Sequence, residues 1–115
     1  MAIAITATKA ALAGTYIGLG TWISLHTSNP GTTGANEATG GSPAYARKQT
    51  TWGSASTGTS TGSEVVIDAQ AGTYTHVCLW AASSGGAAPI DVADITDVVL
   101  SAQGQVRVTP SYTHT

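Results

Sequence analysis

The sequence has one cysteine, no phenylalanine, four Lys or Arg residues and no long apolar run. With Cys78 alone, an internal disulfide is impossible, and the fold does not depend on an oxidising compartment. Charged residues make up only 9%, against roughly 25% in ordinary soluble domains. The basic residues Lys9, Arg47, Lys48 and Arg107 are scattered apart from one adjacent pair, and the net charge is −2. A phosphate-binding face needs clustered Lys and Arg, so nucleic acid is not expected as a partner. No stretch approaches the ~20 apolar residues of a membrane span, so no membrane insertion is expected. The apolar, Ala-rich start, residues 1–20, lacks the charged beginning and long apolar core of a signal peptide.

Catalytic and metal-binding signatures are missing too. His26, His76 and His114 form no close His/Cys cluster, and His76 with Cys78 is at most half a metal site. No GxSxG elbow marks a nucleophile. Glu37, Glu64 and Asp68 fall in different segments, which does not suit a glycosidase pair. Asp91, Asp94 and Asp97 lack the spacing of a calcium loop. The expectation is therefore a non-enzyme with no catalytic residue, no cofactor and no metal.

What is present is 42% hydrophobic residues with abundant Ala, Thr, Gly and Ser over 115 residues, enough for one domain with a thin core. Residues 6–19 are the only good helix candidate, with Thr6 or Thr8 as cap and Gly14, Gly18 and Gly20 weakening its end. Strands are expected over 21–27, 44–52, 64–69, 73–82 and 104–109, where apolar residues alternate or cluster. Residues 28–42 read as a long loop and 53–62 as a Ser/Thr/Gly connector. Residues 90–100 fit either a short helix or a polar edge strand, because Asp recurs every third position. Pro110 ends the last strand.

The fold expected is mainly β, a small antiparallel sandwich or barrel of about six to seven strands with a short N-terminal helix. Its parts are an arm and helix over 1–20, a β-sandwich over 21–110 and a tail over 111–115. Ile23, Leu25, Val65, Ile67, Val77, Leu79 and Trp80 are expected between two β-layers. The rings of Trp22, Trp52, Trp80, Tyr16, Tyr45 and Tyr74 are expected to supply core volume, with a sugar-stacking platform as the rival reading. Arg47 is placed to pair with Glu37 across the loop base or to face a partner.

Two stretches are more specific than composition. Residues 25–56 carry LHT, then PGTTGANE, then GGSPAYAR, then TWGSAS; residues 71–86 read AGTYTHVCLWAASSGG. This pattern resembles short virion proteins of actinobacterial tailed phages, of the tail fibre or minor structural type. Members of that type often have Gly at the position of Cys78. The resemblance covers most of residues 20–86 and fades beyond Gly86.

The resemblance implies a virion protein, assembled in the host cytoplasm, whose partners are other copies of itself and the major capsid or other virion proteins. Because no repeat or coiled coil supplies length, a capsid decoration or minor capsid protein is favoured. A minor tail or tail-fibre component is the alternative. A module binding host cell-wall glycan is the rival from another class. By analogy with phage surface proteins on threefold sites, a homotrimer is expected. Its subunit or particle contacts are expected at Met1, Ile3, Ile5, Leu12, Tyr16 and Arg47, since the apolar start would be exposed in a lone monomer.

Overall fold

The computed structural model describes residues 5–114; Met1 and Ile3, two of the expected contacts, lie outside them. One helix, α1 (Thr6–Ile17), precedes eight strands: β1 (Trp22–His26), β2 (Lys48–Gln49), β3 (Thr59–Thr61), β4 (Val65–Ala69), β5 (Gly72–Trp80), β6 (Asp91–Leu100), β7 (Gly104–Val108) and β8 (Ser111–Thr113). The protein is thus mainly β, as its alternation predicts, and every strand pairing is antiparallel.

The largest sheet runs β2-β1-β5-β6. Its centre is the β1–β5 ladder, in which Ile23 faces Leu79 and Leu25 faces Val77. These four side chains share one surface of the sheet. Against that surface packs the β4–β7 ribbon, contributing Val65, Ile67, Ala69 and Val106 to one continuous core with Tyr74 and Ala38. Each large aliphatic chain buried here contributes roughly 1.5–3 kcal/mol, so a sandwich with so few of them has little to spare.

The same two chain segments continue past the sandwich. The β3–β8 pairing follows β4–β7 with its register slipped by one residue, joined through a hydrogen bond from Gly62 N–H to the Pro110 carbonyl (2.8 Å). The whole body is elongated, measuring 47 × 24 × 24 Å. Helix α1 lies against its far end, touching β3 and β8 and burying only Ala13 fully.

Several expectations change. The helix begins after Ile5, with no side-chain cap from Thr6 or Thr8. The strand expected over 44–52 shrinks to β2, because Tyr45 and Arg47 are drawn off the ladder to bind Glu37. The connector contains β3, and the supposed tail contains β8. Apart from Tyr112 these strands are built from Ser and Thr, held by backbone pairing and a Thr59–Thr113 hydroxyl contact of 3.0 Å. Residues 91–100 form a strand. It is the polar edge strand of the large sheet, with two extra residues on β6 at an irregularity between the pairs at Tyr74 and His76. Trp80 is buried, but on the sheet surface opposite the main core, beside Ser24.

Candidate functional site

That opposite surface carries Ser24 and His26 from β1 and Cys78 and Trp80 from β5, all buried. Residues 28–47 fold over it. His26 Nδ1 lies 2.8 Å from the Ala35 carbonyl, which can only accept, so Nδ1 carries the proton. Nε2 then accepts from Ser24 Oγ at 2.6 Å, and Ser24 accepts from the Trp80 indole N–H at 2.8 Å. Burial lowers the His26 pKa despite the Ala35 carbonyl, which suits this neutral tautomer. Neither Ser24 nor His26 has exposed surface, so the pair can hold a loop but cannot meet a substrate.

Arg47 closes the same loop. Its Nε and Nη2 donate to the two carboxylate oxygens of Glu37 at 2.9 Å each, and Tyr45 O–H donates to Glu37 at 2.7 Å. Nη1 donates to the carbonyls of Ala82 (3.1 Å) and Gly85 (3.0 Å), and the guanidinium sits 3.7 Å from the centre of the Trp80 ring. Burial alone would raise the Glu37 pKa; the bonds from Arg47 and Tyr45 outweigh it and hold the carboxyl below its usual range. The same burial, reinforced by Glu37, pushes the Tyr45 hydroxyl up. Gly34 (φ +75°) turns under the Trp80 ring, which any Cβ there would strike. The sequence blocks at 25–47 and 71–86 therefore meet in one network.

The remaining expected sites are dispersed. Ile5, Leu12 and Leu19 are 70%, 44% and 52% exposed; Leu12 is on α1, Ile5 precedes it and Leu19 follows it. Tyr16 faces the body instead: its ring stacks on Tyr112 at 3.6 Å and 9°, meets Trp52 edge-on at 6.4 Å, and its hydroxyl donates to Asp91 at 2.7 Å. Arg47 is committed to contacts within its own chain. Burial raises the Cys78 thiol to about 11, so it is inert at neutral pH. His76 and Asp94 approach to only 4.0 Å.

Among the described residues no three His, Cys, Asp or Glu side chains gather as metal ligands, and no helix is long and apolar enough to cross a membrane. Sequence reasoning missed the Ser24–His26–Trp80 chain and the Tyr16–Trp52–Tyr112 cluster. The alternation at 22–26 and 76–80 put the first set on matching faces, but nothing in the sequence fixes the pairing between those strands.

A family model described as Podophage GP4 fiber I protein gp80 matches residues 8–107, from α1 through β7. No curated protein and no solved structure matches the chain.

Proposed function

The chain belongs to the Podophage GP4 fiber I protein gp80 family, a phage virion structural protein, and on that premise we propose that it is a tail-fibre subunit. The observation that carries this reading is the family match across nearly the whole domain. It favours the fibre alternative over capsid decoration, which the lack of repeats had put first. The 47 Å length of the body supports the same choice, since an elongated module can be stacked or bundled.

Its partners are other virion proteins, and in this proposal also further copies of itself, as a homotrimer. Supporting self-association are Ala11, Leu12 and Thr15 on α1, with Ile5 and Leu19 just beyond its two ends, all exposed and none of them charged. The chain acts by position and not by catalysis, and it needs no cofactor, nucleic acid or membrane. The motif network then has a structural task, fixing residues 28–47 on the sheet.

A phage whose gene for this chain carries a stop codon tests the proposal. Particles with normal filled heads but a missing tail appendage are expected. Heads that fail to assemble or lose stability, with tails complete, would overturn it.

A further inference from the structure

The β4–β7 ribbon does not cover the whole inner surface of the large sheet. Where β4–β7 gives way to β3–β8, a cleft of about 290 Å³ remains above Ile23, Leu79 and Asp91. Aliphatic side chains such as Val77, Ile95 and Val108 line much of it, and its aromatic walls are Tyr16, Trp52 and Tyr112, from α1, the segment before β3, and β8. From these residues we infer that the cleft binds a single sugar ring, the terminal unit of a host-surface glycan. The inference deepens the fibre reading, because a fibre's surface is the part that meets a host.

The chemistry of the walls selects this ligand. A pyranose has an apolar C–H face and a ring of hydroxyls. Aromatic rings offer the complement to the first, and a carboxylate to the second. Trp52 is half-buried, with its indole N–H already donating to the Gly20 carbonyl at 2.9 Å. The ring is therefore fixed in place without needing a partner of its own. Tyr112 and Tyr16 are likewise half-buried and hold one another by stacking.

Asp91 is the one acidic or basic side chain among the walls, and it stays exposed. Its Oδ2 accepts from Tyr16 O–H (2.7 Å) and its Oδ1 from its neighbour's backbone N–H at Val92 (2.8 Å). Each oxygen keeps a further lone pair for a ligand hydroxyl, and the two bonds orient the carboxylate before any ligand arrives. The volume lies at the bottom of the range for small-molecule sites, which begins near 300 Å³, so one ring fits and a run of sugars does not. A lone carboxylate with no cation beside it disfavours phosphorylated or acidic sugars and suits neutral or amino sugars.

The test is NMR of the full chain labelled at the tryptophan indoles, titrated separately with glucose, galactose, rhamnose and N-acetylglucosamine. The expected result is that at least one sugar shifts the Trp52 indole signal and leaves Trp22, on the opposite sheet surface, unmoved. Asp91→Asn should weaken that binding about tenfold or more, as loss of a charged acceptor does, while the chain stays folded with its Trp52 indole signal in place before sugar is added. No shift with any of the four sugars, or a shift indifferent to Asp91→Asn, overturns the cleft assignment. Incorporation of the Asp91→Asn chain into particles is measured in parallel. Normal loading with lost sugar binding confines the failure to the cleft, and the fibre reading is judged by the location of the chain alone.

Discussion

Arg47 is the residue on which the loop over the sheet depends. It bridges Glu37 on one side and the Ala82 and Gly85 carbonyls on the other, with the Trp80 ring beneath. Replacing it with Met keeps the stem's packing but leaves Glu37 charged and poorly partnered. The expected cost is about 3 kcal/mol in urea unfolding, the low end for breaking a buried pair, because a quarter of the Glu37 side chain remains exposed. Titration follows from the same contacts. His26 has a folded pKa below its ordinary 6.5, so below that pH the unfolded chain binds a proton that the folded one refuses. Stability should therefore fall as pH drops from about 6.5. Glu37 is depressed below 4.5, so its contribution is present above that value and is lost as pH falls through the lower folded pKa. Urea midpoints measured from pH 8 to pH 3 (roughly the span of both groups) should decline in both windows. Glu37→Gln should remove the lower decline and keep the upper one. A flat profile across the upper window would contradict the buried neutral His26.

At the level of elements, legibility followed side-chain chemistry. β1, β4, β5 and β7 were readable because their aliphatic residues alternate or cluster, and of the core they predicted every residue is in place except Trp80, which lies on the opposite sheet surface. β3 and β8 were not, because Thr59–Thr61 and Ser111–Thr113 carry no apolar alternation and owe their pairing to backbone and hydroxyls. β6 was open between a short helix and a polar edge strand because Asp91, Asp94 and Asp97 recur every third residue; it is the edge strand of the large sheet. The pairing of Arg47 with Glu37 was legible from proximity and charge. The joining of Trp80 to Ser24 was not, since it depends on the β1–β5 register across 56 residues. The reassigned β8 makes its own prediction. Tyr112→Leu preserves apolar volume yet loses the stack on Tyr16, and should cost about 0.5–1.5 kcal/mol in thermal unfolding. A variant as stable as the parent would show that residues 111–114 are the loose tail that composition suggests.

For the whole molecule, two features bear on assembly: an elongated body and an uncharged helix face turned away from it. Light scattering on the purified chain should report a trimer. The double variant Leu12→Glu with Leu19→Glu should shift it to monomer while leaving the melting temperature of the β-sandwich within about 2 °C, since both side chains are largely exposed in the single chain. A trimer that survives both charges would move the interface elsewhere. The fibre assignment itself is tested most directly on intact virions, by electron microscopy with a gold-labelled antibody raised against this chain. Gold concentrated at the tail end of the particle, on its fibres, is the expected result. Gold distributed over the faceted head, with the tail bare, would contradict it.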